Sequence, residues 1–380
     1  MILELKNIGM IKEAKVNIDG LTVIAGENDT GKSTVGKALF FINTFQNRKQ
    51  EIEARVYKNF TEQFNKNFRQ QFNQQYSKNY SNELLSEDDI IEKQIDKEES
   101  YVEYYADYYQ DSFQDAIENN HEELQEASIE QQIEEYQELQ EKIFHFHLLP
   151  TSKVSIQDKL ESKAIFIDTP ILANFFDFFS MLATAQNEIE YEINNYPYLS
   201  KSLYKQLRLQ LKKETTLDKY AQINILKEII GGELKTNSMG DLVFVKNDGS
   251  TYPVNAVATG IKNFGILQLL LKNNYLTKDA ILIIDEPEVH LHPKWQLKYA
   301  QFVVNLVQNG VKVFINSHSP YMIEALKRYS DRANLQDKTN FYLAEGGYIE
   351  NRNKLQEIYE KLSEPYDEFD RMDSDILNGK

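Results

Sequence analysis

The chain has 380 residues, with 42 basic and 59 acidic side chains, a formal net charge of −17 and no cysteine. The length suits two or three domains with a sizeable core. The absence of cysteine excludes disulfides, thiolate metal sites and a cysteine nucleophile. The acidic net charge argues against a protein that coats nucleic acid by charge alone. The charged start Met1–Lys6 is not typical of a signal peptide, and no uncharged apolar stretch of about 18 residues could cross a membrane, so we expect a soluble, cytoplasmic protein.

The turn-forming residues divide the chain into two glycine-rich ends around a long middle. No glycine lies between Lys37 and Ile230, which favours helices there because tight turns usually need glycine. The two ends alternate strand-like and helix-like runs and predict an α/β fold. The predicted strands are Ile2–Leu5, Leu21–Ala25, Ala164–Ile167, Leu242–Val245, Ala280–Ile284, Val311–Asn316 and Asn340–Leu343. The predicted helices follow Gly31 and fill Thr259–Lys272, Lys294–Gln308, Tyr321–Tyr329 and Lys354–Leu362.

These runs predict four segments. They are a first part of the α/β body at 1–44, an acidic helical insertion at 45–150, a helical lobe with a return strand at 151–230, and the second part of the body at 231–380. The insertion holds 24 acidic and 10 basic residues, whereas the remainder of the chain holds 35 and 32. Its stretch Ser81–Pro150 alone has 21 acidic and 3 basic residues.

The insertion carries two apolar patterns. Aromatic residues recur almost every fourth position from Tyr57 to Tyr80, and Ile129–Phe146 has the spacing of an amphipathic helix. We interpret the segment as a helical hairpin or small bundle, which is compatible with an arm that docks a partner. A solvated acidic face is a more common use of such charge than a metal site.

A phosphate-binding loop follows the predicted strand Leu21–Ala25. The pattern G-x-x-x-x-G-K-S lies between a strand and a helix, where glycines let backbone amides turn inward on phosphate oxygens. The helix N-terminus adds positive potential. Lys32 would reach the β- and γ-phosphates, and the Ser33 hydroxyl suits Mg²⁺. The loop comprises Gly26, Glu27, Asn28, Asp29, Thr30, Gly31, Lys32, Ser33 and Thr34.

Two further strand ends carry polar residues that suit nucleotide hydrolysis. The apolar run Ala280–Ile284 ends in Asp285 and Glu286, of which the first would hold Mg²⁺ through water and the second would orient the attacking water. The next strand ends at His318, which would contact the γ-phosphate.

His290 and His292 also stand close together in the sequence, but they lack the H-E-x-x-H spacing of a zinc site. We expect their loop to face a second subunit.

Together these motifs resemble the ABC-type ATPase heads of the SMC/RecF/OLD group. The resemblance rests on Leu3–Gly9, Leu21–Asn28, Asp285–Pro293 and Ser317–Pro320. It covers 1 to about 44 and about 163 to 370, with the insertion outside it. Within the group, the chain looks like the stand-alone ATPases of prokaryotic anti-phage systems of the OLD, PARIS and Septu types. The fold that this implies is a P-loop NTPase with a mixed sheet and a helical, coiled-coil-like insertion.

The resemblance implies that ATP and Mg²⁺ are the cofactors and that two heads sandwich ATP, as a homodimer or a higher homo-oligomer. The signature segment of one head would face the P-loop of the other, and here it is Val257–Lys262, with Thr259 and Gly260 at the contact. Ile261 departs from the usual polar residue, and Thr259 is alternatively a helix cap. A Q-loop glutamine is not identifiable, since Asp168 stands where one is expected.

The function that follows is an ATPase, converting ATP and water to ADP and phosphate, that regulates a separately encoded effector. No Toprim nuclease domain of the OLD kind fits after His318, so the nuclease or toxin would be another polypeptide. The alternative is a DNA-repair or DNA-end-binding ATPase of the RecF/SMC kind, which would need a basic stripe. The near-neutral head leaves contact with nucleic acid open but does not favour it. A transporter ATPase and a non-hydrolysing scaffold are also open.

Overall fold

The protein is described by a computed structural model that covers residues 1–44, 47, 153–157, 163–176, 198–212, 217–238, 240–278, 280–351, 353, 355–363 and 371–372. All of these residues belong to one unit, formed by residues 1–47 and 142–380. The predicted helical insertion at 45–150 lies outside the described residues apart from residue 47. Within the described part, no helix has both the length and the apolarity that crossing a membrane requires.

A nine-stranded mixed sheet forms the centre of the described part, in the order β4-β1-β2-β12-β11-β3-β10-β9-β5. Strands β11, β3, β10, β9 and β5 are parallel to one another. The β1–β2, β1–β4 and β11–β12 pairs are antiparallel. A smaller antiparallel sheet holds β6, β7 and β8. The strands are β1 (Ile2–Ile8), β2 (Ile11–Asn17), β3 (Leu21–Ala25), β4 (Lys153–Gln157), β5 (Ala164–Ile167), β6 (Gly232–Thr236), β7 (Leu242–Lys246), β8 (Thr251–Pro253), β9 (Ile281–Asp285), β10 (Lys312–Ser317), β11 (Thr339–Glu345) and β12 (Tyr348–Asn351).

The parallel strands form the core because their side chains are apolar on both faces. All five side chains of β3 are buried, as are the four apolar side chains of β9. Each large aliphatic side chain buried in this way contributes about 1.5–3 kcal/mol relative to an exposed one. The carboxyl ends of these strands meet at one edge of the sheet, where ligands bind in open α/β sheets.

Helices cover the sheet. They are α1 (32–44, with residue 47 also helical), α2 (Tyr198–Arg208), α3 (Lys219–Ile230), α4 (Thr259–Lys272), α5 (Pro293–Gln308), α6 (Pro320–Arg332) and α7 (355–363), with short 3₁₀ helices at Pro170–Phe175, Val254–Ala256 and Gln336–Lys338. Ten of the fourteen residues of α4 are buried. This helix approaches β6 so closely that a Cβ at Gly265 would lie 2.0 Å from Leu234 Cδ1.

The predicted α/β fold class, a P-loop NTPase with a mixed sheet, is confirmed. The seven predicted strands are all present, and α4 has the predicted bounds. Five strands escaped the sequence patterns: β2, β4, β6, β8 and β12. The reading of Thr259 as a helix cap is wrong, because Ala258 occupies the N-cap position and no side chain caps α4. Thr259 is instead the first residue of the helix.

Candidate nucleotide-binding site

The phosphate-binding loop joins β3 to α1 and depends on two close backbone approaches. A Cβ at Gly26 would lie 2.6 Å from the carbonyl oxygen of Ala344 on β11. Gly31 has φ +88°, and a Cβ there would lie 2.5 Å from Ile11 Cδ1 on β2. Any larger residue at either position would push the loop away from the sheet. Ile11, which belongs to a strand that the sequence patterns missed, therefore helps to shape the loop.

Lys32 begins α1 and points back into its own loop. Its Nζ donates to the carbonyl oxygen of Gly26 at 2.8 Å and to that of Glu27, and the residue is only 4% exposed. Burial lowers the pKa of Lys32, and the carboxylates of Glu286, Asp285, Glu288 and Glu27 oppose that shift. A buried ammonium that bonds two neutral carbonyls is well placed to exchange them for anionic phosphate oxygens.

Ser33 and Asp285, 252 residues apart in sequence, meet directly. Ser33 Oγ donates to Asp285 Oδ1 at 3.0 Å. Asn316 on β10 pairs with Asp285 in the parallel register, and its Nδ2 donates to the same oxygen at 2.9 Å. The hydroxyl and the carboxylate are oxygen ligands of the kind that Mg²⁺ prefers. Asn316 is fully buried, and its Oδ1 has no hydrogen-bond partner among the described residues.

Glu286 and His318 also come together. Glu286 has φ +48°, an uncommon conformation for a residue other than glycine, and its amide donates to the carbonyl oxygen of Asn316 at 3.0 Å. His318 Nδ1 lies 3.3 Å from Glu286 Oε1. The predicted general base and the predicted γ-phosphate contact are therefore neighbours.

Glu288 is a site residue that the sequence patterns did not single out. Its Oε1 accepts hydrogen bonds from Ser317 Oγ at 2.8 Å, from the His318 amide at 2.8 Å and from the Ser319 amide at 3.1 Å. The same oxygen lies 3.4 Å from His318 Nδ1. Burial raises the pKa of Glu288, although these hydrogen bonds act in the opposite direction. Glu288 therefore holds the turn that carries His318, which we call the histidine turn (Ser317–Ser319).

A cavity of about 340 Å³ lies over the loop. Its walls include a residue of the β1–β2 turn, Met10, which the sequence patterns also missed. The lining residues are Met10, Asn28, Asp29, Thr30, Gly31, Lys32, Ser33, Thr34 and Glu286. Thr259 and Gly260 do not line it. They lie at the start of α4, where a Cβ on Gly260 would be 3.3 Å from Leu291 Cδ2 and 3.4 Å from Trp295 Cε3.

Asp168 follows β5, whose last residue, Ile167, pairs with Ile284 immediately before Asp285. Desolvation raises the pKa of Asp168; the charges of Asp285 and Glu286 act in the same direction, against Lys37.

Two of the remaining polar residues stand in the loop between β9 and α5. His292 has a structural role there, since it precedes α5 and its Nδ1 accepts from the Lys294 amide at 3.3 Å. His290 has φ +65°.

Two signals in the sequence could have identified the missed residues. Asn316 ends a buried apolar strand next to Ser317 and His318, a position typical of site residues in parallel sheets. Glu288 is the third acid after the apolar run Ile281–Ile284. A third acid so close to the end of a buried strand is a signal of a site residue. Met10 carries no local signal, because only the pairing of β1 with β2 brings its turn to the loop.

The site defines a P-loop NTPase. It combines a strand, a glycine loop that encloses a lysine, a helix, and a serine that bonds an aspartate at the end of β9, two strands away from β3 in the sheet. Residues 1–323 match the family model described as AAA ATPase domain. Because this match covers most of the chain, the protein belongs to that family.

Solved structures that match the chain include ATP-binding cassettes and SMC heads. An ATP-binding cassette of an ABC transporter in its ADP conformation is 12% identical, with 96% of each chain covered and a TM-score of 0.38. An Smc head domain with an extended coiled coil, bound to the C-terminal domain of ScpA and derived from Pyrococcus furiosus, is 12% identical, with 96% of this chain and 99% of that chain covered and a TM-score of 0.37. A dimeric bacterial ABC transporter cassette is 12% identical, with 92% and 96% covered and a TM-score of 0.33. These TM-scores are low, so the fold is assigned from the chain's own topology and the family match.

Proposed function

We propose that this protein binds ATP with Mg²⁺ and hydrolyses it. The supporting observation is the convergence of Lys32, the Ser33–Asp285 pair and Glu286 at one loop and strand end. In this proposal Lys32 and the loop amides hold the phosphates, and Ser33 and Asp285 hold Mg²⁺. Glu286 accepts the proton of the attacking water, and His318 contacts the γ-phosphate.

The residues present fit a magnesium nucleotide. The Lys32 ammonium has two carbonyl partners that a phosphate could replace, and the loop has no Cβ at the two points of closest approach. The buried Oδ1 of Asn316, which has no hydrogen-bond partner in the described part of the chain, lies on the side chain that bonds the metal-ligand candidate Asp285. When bound, Mg²⁺ would neutralise charge on the phosphates.

Replacing Glu286 by Gln tests the hydrolytic role. The amide keeps the size of the side chain but cannot accept the water proton, so phosphate release should fall by at least about 100-fold. The affinity for ATP, measured by titration with a fluorescent analogue, should stay within about threefold, because Glu286 does not bind the phosphates. Glu13→Gln, at an exposed position on β2, is the matched control. Undiminished turnover would show that Glu286 is not the base, and absence of ATP binding by the wild type would refute the whole proposal.

We also propose that two copies pair around ATP. The support is that Thr259 and Gly260 do not line the cavity of their own chain, so a second copy would have to bring its signature segment (Val257–Lys262) to the phosphates. Light scattering on Glu286→Gln protein should detect a doubled mass with Mg-ATP and an unchanged mass with ADP. A constant mass in both nucleotides would contradict pairing.

The finer role that we propose is control of a separately encoded effector, a nuclease or toxin, in prokaryotic anti-phage defence. Support comes from the resemblance of the motifs to stand-alone defence ATPases and from the 21 acidic and 3 basic residues of Ser81–Pro150. Such a segment would attract a basic protein surface. Co-purification with the product of the adjacent gene should depend on salt and nucleotide, and a variant with half of these acids changed to amides should bind more weakly. Retention of DNA on filters that weakens steeply with salt would instead support the DNA-repair alternative.

A further inference from the structure

A buried polar side chain on α5 connects the histidine turn to the loop between β9 and α5. Gln296 is 8% exposed. Its Oε1 accepts from Ser319 Oγ at 2.8 Å, and its Nε2 donates to the Leu291 carbonyl oxygen at 3.1 Å. Both ends of the amide are therefore used. Because buried polar groups are costly when unpaired, this pair of hydrogen bonds fixes the distance between the histidine turn and Leu291.

Leu291 in turn lies beside the start of α4. A Cβ built on Gly260 would be 3.3 Å from Leu291 Cδ2 and 3.4 Å from Trp295 Cε3. One turn further along α4, the ring of Phe264 packs edge-on against Trp295 with centroids 5.5 Å apart. The position of the signature segment therefore depends on the loop that Gln296 holds.

Glu288 also connects the loop between β9 and α5 to the histidine turn. It stands in this loop, is 6% exposed, and receives three hydrogen bonds from the histidine turn. The turn and the loop are thus joined by two buried polar side chains, and Leu291 of the loop lies beside Gly260. A change at His318 has a continuous path of packed and hydrogen-bonded groups to the signature segment.

We propose that Gln296 is a positioning residue that couples the two nucleotide sites of the paired protein. This inference rests on the proposed ATP-dependent pairing. His318 would respond to the nucleotide in its own cavity, whereas Thr259 and Gly260 would face the nucleotide of the other copy. Gln296 and Glu288 couple the position of His318 to the position of Thr259 and Gly260. Nucleotide bound in one cavity therefore favours the arrangement that the second cavity needs to bind nucleotide.

The single tryptophan of the chain, Trp295, is a reporter of this junction. It packs against Phe264, lies beside Gly260 and adjoins Gln296 in the sequence. In the wild type, ATP should change its emission. Gln296→Met keeps the length of the side chain but removes both hydrogen bonds. We expect the emission change to be lost and the ATP concentration for half-maximal pairing to rise about tenfold, within the usual range of coupling between sites.

The matched control is Gln301→Met, at an exposed position on the same helix. Binding of a fluorescent ATP analogue to the unpaired chain should be unchanged in both variants, because neither residue lines the cavity. If Gln296→Met folds poorly, Gln296→Glu offers a second measurement: it keeps the acceptor for Ser319 but has no donor for the Leu291 carbonyl, and should shift pairing in the same direction.

The outcomes separate this inference from the function on which it rests. A wild type that neither binds ATP nor pairs would refute both. A wild type that pairs with ATP, together with Gln296 variants that match Gln301→Met in emission and in pairing, would overturn the positioning role alone. Loss of the emission change and weaker pairing with intact nucleotide binding would support it.

Discussion

Lys32→Met is the sharpest test of the nucleotide site, because the lysine is buried and its present partners are known. Its ammonium bonds the carbonyl oxygens of Gly26 and Glu27. Methionine has a similar length and fills the same space without a charge or a donor. The substitution therefore removes the interaction with phosphate while it leaves the backbone of the loop free to keep its conformation.

The size of the effect follows from an exchange of partners. Two hydrogen bonds from an ammonium to phosphate contribute about 1.5–3 kcal/mol each, and the two carbonyl bonds given up are worth about 1 kcal/mol each. The net loss in Lys32→Met is then about 1–4 kcal/mol. At about 1.4 kcal/mol for each factor of ten, the dissociation constant for ATP should rise between about 5-fold and about 1,000-fold.

The assay is equilibrium titration with a fluorescent ATP analogue at fixed Mg²⁺. Lys227→Met is the control, since Lys227 is an exposed lysine on α3 that does not line the cavity. It should change the dissociation constant by less than about twofold. A value for Lys32→Met within about threefold of wild type would mean that Lys32 does not contact phosphate, and the proposed site would have to be abandoned.

Three further predictions concern neighbouring groups. Asn316→Leu removes the donor to Asp285 and should weaken Mg²⁺ binding about 10- to 100-fold in a calorimetric titration with nucleotide. An affinity for Mg²⁺ equal to that of the wild type would exclude a role of Asn316 in supporting Asp285. Gly31→Ala should weaken nucleotide binding, since its Cβ would lie 2.5 Å from the end of the Ile11 side chain. Gly249→Ala should not, since Gly249 has the same φ of +88° but no described atom within 4 Å of such a Cβ. Equal behaviour of the two variants would refute the steric argument. Burial raises the pKa of Glu288, so the folded protein holds that proton more tightly than the unfolded chain. This stabilisation is complete below the unfolded pKa and is lost as pH rises through the raised value. Urea melts should therefore show that Glu288→Gln gains stability relative to wild type as pH rises above the ordinary titration range of a carboxyl group. No change in that difference would contradict the raised pKa.

Local patterns in the sequence were sufficient to find the central strands and the chemistry at their ends. The runs at β3, β9 and β10 are apolar on both faces, which only a buried strand tolerates in an α/β protein. The glycines and Lys32 of the loop, and the acids after β9, stand at fixed offsets from those strands. The five missed strands lack such runs. In β2, for example, charged residues interrupt the apolar ones, so the segment shows no apolar run although Gly9 marks the turn that separates it from β1.

Residue types and short spacings therefore determine the P-loop, the acidic strand end and the P-loop NTPase fold class, because each depends on backbone geometry within a few residues. Only the tertiary structure decides which distant groups meet. The parallel register places Asn316 beside Asp285, and the turn at Glu286 brings that side chain to His318. The tertiary structure also buries Glu288 and Gln296 where the histidine turn meets the loop between β9 and α5. These contacts join residues that are remote along the chain, so their geometry comes from packing of the whole sheet and its helices, which no local pattern encodes.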